Sequence, residues 1–139
     1  MTHGRSETSV QLLLYLICIA AITSCQDNEI IPFFPQQRHA AQTQSMLGGQ
    51  LALVKNCLRI EPYLVIWPPE YSLVIDGKTI RIHDNITGHY VAQVGDTIVV
   101  GGNGVDHIGR DSISMSLFTA EFLPPDCPGP YWFSSNITR

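Results

Sequence analysis

From Met46 onward the sequence predicts a small all-β domain. Three observations carry that expectation. Apolar residues nowhere recur at the three-to-four-residue spacing of an amphipathic helix. About seven short runs rich in Val, Ile, Tyr, Trp and Thr are instead separated by Gly, Pro, Asn and Asp. Asp76-Gly77 between two apolar runs is a strong hairpin signal.

Gly48-Gly49 leads into Gln50–Val54, and apolar character returns at Cys57-Leu58-Arg59-Ile60. The second piece alternates as a strand and is expected to continue the first through a bend near Lys55-Asn56. Tyr63–Trp67 is the next β-rich run. Pro68-Pro69 closes it, because proline cannot donate to a central ladder. Leu73-Val74-Ile75 enters the Asp76-Gly77 turn. Thr79–His83 leaves it with Ile80 and Ile82 on one face and Thr79, Arg81 and His83 on the other. Asp84–Gly88 reads as a turn, without the repeated acidic positions of a calcium loop. Tyr90–Val94 and Thr97–Val100 flank Gly95-Asp96, and the Val94-Gly95-Asp96 reversal between them is expected to form a tight hairpin. Gly101–Gly104 reads as a flexible loop, Ser112–Thr119 as an alternating strand, and Tyr131-Trp132-Phe133 as a short last strand. The expected architecture is a small OB-like barrel or a compact β-sandwich, closed by a disulfide.

The chain has 139 residues, with 8 Lys and Arg against 12 Asp and Glu. A formal charge of −4 without a basic patch argues against a nucleic-acid partner. Ahead of the domain, Val10–Ile22 is apolar except for Gln11. Thirteen residues are too few for a membrane span, which needs about 20, but match the apolar core of a signal peptide.

The run ends in Ile22-Thr23-Ser24-Cys25: an aliphatic residue, two small residues and a cysteine. This resembles the lipobox of bacterial lipoproteins. The resemblance implies cleavage of residues 1–24, a diacylglyceryl thioether on Cys25 and usually an acyl chain such as palmitate on the new amino group. Two or more chains anchor stably where one does not. It also implies an extracytoplasmic, lipid-anchored place in the cell envelope. Gln26 after the cysteine, rather than Asp, favours the outer membrane where there are two. Residues 25–45 then read as a flexible tether, within which the apolar clump Ile30–Phe34 is expected to pack on the domain or sit near the membrane surface. The wider pattern from Cys57 to Trp132 is similar to small exported bacterial proteins and carries over no catalytic residue.

The same resemblance bears on the cysteines. It implies that Cys18 leaves with the signal peptide and that Cys25 takes lipid, so that Cys57 and Cys127 are expected to remain as a pair in an oxidising compartment. Closing a loop of about 70 residues stabilises by about 4 kcal/mol in the chain-entropy treatment.

Residues able to do chemistry are few. His83, His89 and His107 stand near Asp84, Asp106 and Asp111, but neighbours on a strand point to opposite faces and make poor chelates. No nucleophile elbow, zinc-protease helix or phosphate loop occurs. No catalytic residue, metal or cofactor is therefore assigned. Trp67, Tyr71, Tyr131 and Trp132 lie beside prolines and are candidates for binding a peptide or sugar, unless they plug a barrel end. The expected function is a non-enzymatic binding or structural domain, with an envelope protein or a glycan as partner. The alternative is a metal-dependent or carbohydrate- or peptidoglycan-binding envelope protein. The cysteine pairing predicts that the native exported chain takes up no alkylating reagent before reduction, as read by mass spectrometry. Two alkylated cysteines in the native chain would refute the pairing.

Overall fold

The computed structural model describes residues 30–108 and 123–138. Among them are eight strands and no helix: β1 (Ser45–Val54), β2 (Cys57–Ile60), β3 (Tyr63–Ile66), β4 (Tyr71–Asp76), β5 (Thr79–Asp84), β6 (Tyr90–Gln93), β7 (Thr97–Val105) and β8 (Tyr131–Thr138). The strand expected over Ser112–Thr119 lies outside the described residues.

Five strands pair in a closed ring, in the order β1-β2-β3-β8-β7 and back to β1. Every pairing is antiparallel except that of β3 with β8, where Leu64, Val65 and Ile66 lie beside Tyr131, Trp132 and Phe133. Counted along the ring strands alone, the order is first, second, third, fifth, fourth, with the third and fifth parallel. That is the topology of an OB barrel. The remaining strands, β4-β5-β6, form a separate three-stranded antiparallel sheet inserted between the third and fourth ring strands.

β1 serves two neighbours. Its first half, Ser45–Gln50, pairs with β7, and its second half, Leu51–Val54, pairs with β2. The strand must bend to do this, and Gly49 lies at the change of partner, where a Cβ would come within 2.8 Å of Ile60. Lys55-Asn56 is a two-residue reversal, not a bend within one strand. Both residues have positive φ (49° and 64°), and β2 returns antiparallel along β1. Such φ values match the twist of a tight hairpin and are usually supplied by glycine.

The Asp76-Gly77 signal marks a real hairpin, with Asp76 opposite Thr79 and Gly77 at φ 58°. Ile80 and Ile82 face inward and are buried, as the alternation implies. Asp84 closes the next turn. Its carboxylate accepts the backbone N–H groups of Ile86 and Thr87, and Gly88 takes positive φ. Val94-Gly95-Asp96 reverses the chain but joins no hairpin. β6 pairs with β5, while β7 pairs with β1 and β8. The reversal is instead fastened to β1, since the Gly95 N–H donates to Leu51 O and the Leu51 N–H to Asp96 O.

Gly101–Gly104 is strand, not flexible loop. β7 runs straight through it, with a bulge between Gly101 and Gly102. The glycines are there because neighbours come close. A Cβ on Gly102, at φ 152°, would sit 2.0 Å from the Phe133 carbonyl oxygen. One on Gly104 would press on Trp132 and Tyr63 at 3.3 Å.

Two apolar clusters result. The inner one gathers Leu51, Leu58, Ile60, Val65, Trp67, Ile98, Val100 and Trp132, and the apolar face of the inserted sheet joins it through Tyr71, Ile80, Ile82 and Ala92. The outer one consists of Cys57, Leu64, Ile66, Cys127 and Phe133. Cys57 and Cys127 are disulfide-bonded, with Cα atoms 5.6 Å apart.

Gly102→Ala should destabilise by about 1–3 kcal/mol, since the Cβ can be admitted only by moving backbone. Gly48→Ala, whose Cβ would meet nothing nearer than 3.8 Å, should leave the melting temperature nearly unchanged. Thermal denaturation of the two variants side by side tests the reading, and equal losses would contradict it.

Candidate functional site

In an OB barrel, ligands usually meet the outer face of the second and third strands and the loops beside it. Here that face is covered. Every residue of β2 is buried, as are Leu64, Val65 and Ile66 of β3. Alternation sends Leu58, Ile60 and Val65 into the barrel. It sends Cys57, Arg59, Leu64 and Ile66 outward, beneath two pieces of the same chain.

One cover is the segment before β1. The Phe33 N–H donates to Asn56 O at 2.7 Å. The Trp67 N–H donates to Pro35 O, and the Gln37 N–H to Trp67 O, both at 2.8 Å. Gln37 is fully buried, and its amide nitrogen donates to Ile66 O (2.9 Å) and Ser134 O (2.7 Å). The segment thus ties β3 to β8 across the outside of the wall. Further along, Asn103 Nδ2 donates to Gln42 O and the Gln44 N–H to Gly102 O. The compact unit accordingly begins at Ile31, well before Met46. Phe33 packs on the outer cluster, and Phe34 on the inner one, stacked on Trp67 with ring centroids 5.4 Å apart.

The other cover is the segment leading into β8. The disulfide holds Cys127 against the start of β2. Arg59, only 8% exposed, donates to Pro62 O at 2.8 Å and to Pro128 O, so a buried guanidinium spans β2, the turn after it and the covering segment. Hydrogen bonds to a charged donor are stronger than neutral ones, about 1.5–3 kcal/mol each.

At the margin of this cover lies an open pocket of about 470 Å³, lined by Asp106, His107, Ile108, Pro128, Gly129, Pro130 and Tyr131. It offers a carboxylate, an imidazole, a phenol and the rigid faces of two prolines. Among the described residues no hydrogen bond joins Asp106, His107 and Tyr131 to one another.

The four aromatic candidates are not brought together on one exposed face. Trp67 is fully buried. Trp132 is buried against Tyr63, edge to face at 5.5 Å, and Tyr71 lies in the inner core. Tyr131 alone of the four lines the pocket. His83 stands on the outer side of β5 beside Tyr90, over whose ring Arg81 lies at 5.7 Å. His107 is in the pocket, and His89 follows the Asp84 turn. Among the described residues no three His, Cys, Asp or Glu side chains converge as metal ligands. Gln37 and Arg59 carry structural weight that the sequence did not announce. Only the Phe33-Phe34 clump signals the docked segment in advance.

The architecture is thus a disulfide-closed OB-topology barrel with a three-stranded insert and a covered outer wall. No protein-family model matches the chain, and neither a curated protein nor a solved structure matches it.

Burial raises the Tyr71 phenol above its ordinary value. A backbone hydrogen bond at Ile137 opposes the shift, and the charges of Asp84 and Glu70 add to it. A raised folded-state value makes the neutral phenol a stabilising group. Its contribution is complete below the unfolded value near 10 and is lost as pH climbs through the folded value. Denaturant melts between pH 9 and pH 11 (an interval set around the ordinary tyrosine value of about 10) should show falling stability, and Tyr71→Phe should flatten that fall. An unchanged slope would refute the assignment to Tyr71.

Proposed function

We propose that this chain is a bacterial envelope lipoprotein, held by lipid on Cys25, whose barrel is a non-enzymatic binding or structural module. The observation that carries this reading is the tetrapeptide Ile22-Thr23-Ser24-Cys25 at the end of a thirteen-residue apolar run. The Cys57–Cys127 bond supports it, since stable disulfides belong to oxidising compartments outside the cytoplasm. With Cys18 removed and Cys25 lipidated, every cysteine of the mature chain is accounted for.

The barrel supports a passive rather than a catalytic role. Its outer wall is occupied by its own covering segments, and its tryptophans are buried. A second reading rests on the open pocket. Tyr131, which lines it together with Pro128 and Pro130, fits a short peptide or a sugar ring of the cell wall, and in a double-membraned cell the outer membrane is the favoured site of attachment.

The anchor is tested by expressing the full chain in a bacterium with radiolabelled palmitate and partitioning the extract with detergent. The wild-type chain should take up label and enter the detergent phase. Cys25→Ala should do neither. Label or detergent partition retained by the variant would refute lipidation at Cys25.

A further inference from the structure

We infer that Ile30 and Ile31 enter the membrane interface and that the barrel is held directly against the bilayer surface instead of ranging on a long tether. The inference rests on lipidation of Cys25 and adds to it where the domain sits and which residues touch lipid.

The first argument is length. Twenty-one free residue steps from Cys25 to Met46 would reach about 70 Å when extended, at 3.3–3.6 Å per residue. Most of those residues are not free. Phe33, Pro35 and Gln37 are hydrogen-bonded to the barrel, Pro35 and Gln37 are fully buried, and Gln42 and Gln44 are fastened to β7. Only the steps from Cys25 to Ile31 remain, and six steps span at most about 20 Å. That is less than the thickness of the bilayer's own hydrocarbon core, about 30 Å.

The second argument is chemical. Ile30 is 53% exposed and Ile31 72% exposed. Among the described residues they are the adjacent pair of large exposed aliphatics, and they stand immediately upstream of the docked segment. Among the described residues neither belongs to an apolar cluster of the barrel. Phe33, two residues later, is turned onto the outer cluster, so the sequence separates apolar residues that serve the barrel from apolar residues that face away.

Chain length identifies the occupant. Ile31 is covalently confined within six residues of the acylated cysteine, so a lipid surface is always within its reach. Apolar side chains held beside an acyl anchor gain free energy by burial at the boundary of headgroups and acyl chains, in proportion to the apolar area buried.

The test uses the lipidated full-length product carrying Ile31→Trp, reconstituted in phosphatidylethanolamine–phosphatidylglycerol vesicles with and without bromine on the acyl chains. Bromine quenches indoles that reach the acyl region. Trp67 and Trp132 are enclosed in the barrel, so the wild-type chain measures their background. The introduced indole should shift its emission to the blue on reconstitution and lose most of it in brominated vesicles. Flotation and the mass of the Cys25 peptide are read on the same sample. A chain that carries lipid and floats, yet shows an unquenched and water-like introduced indole, overturns the inference while leaving the anchor intact. A chain without lipid that fails to float overturns both.

Discussion

The parallel pairing of β3 with β8 is the contact on which the rest of the structure depends. Three residue pairs, Leu64 with Tyr131, Val65 with Trp132 and Ile66 with Phe133, join the middle of the chain to its end. They turn an open set of antiparallel strands into a ring. They also send Val65 and Trp132 inward and Leu64, Ile66 and Phe133 outward, which creates the two clusters at once. Because β8 is brought to this place, the segment before it lies over β2, where Cys127 meets Cys57 and Pro128 meets Arg59. Gln37 then secures the same pairing from outside, with one amide nitrogen shared between Ile66 of β3 and Ser134 of β8.

A barrel of this size has little interior, and the molecule compensates by building a second apolar layer on its outer wall. The disulfide and the docked segment are both part of that layer. The arrangement bears on function, because the surface most used for recognition in this topology has been spent on stability. Among the described residues, the pocket beside Tyr131 and the exposed isoleucines at the head of the docked segment lie outside that covered wall.

Much of this was legible in the residues. The alternation of Thr79–His83, the Asp76-Gly77 turn, the Asp84–Gly88 turn and the cysteine pair are local or arithmetic signals, and the structure contains each of them. The all-β class follows from such signals too, while the choice between a barrel and a sandwich rests on the distant β3–β8 pairing. What was not legible depends on contacts between distant segments. Lys55-Asn56 makes a reversal of a kind glycine usually makes, and no pattern in those two residues says so. Gly101 to Gly104 looks like a loop because glycine marks both freedom and crowding, and only the neighbouring β8 decides between them. Val94-Gly95-Asp96 reverses the chain as expected, but the partners of the flanking strands are chosen elsewhere. Gln37 is a polar residue in a polar stretch until the barrel closes over it. For the candidate site, Tyr131 and His107 were marked by type, yet their meeting in one pocket required the path of the segment before β8.

The position of β8 has a consequence for how the molecule comes into being. A polypeptide is made amino end first. Here the strand that sits between β3 and β7 is the last one in the sequence, Tyr131–Thr138. Until it arrives, β3 and β7 each present an open edge, the outer cluster lacks Phe133, and Gln37 lacks one of its two acceptors. The ring therefore cannot close until β8 pairs with both, although β1, β2 and β7 and the β4-β5-β6 sheet pair without it. Folds dominated by such distant pairings form slowly.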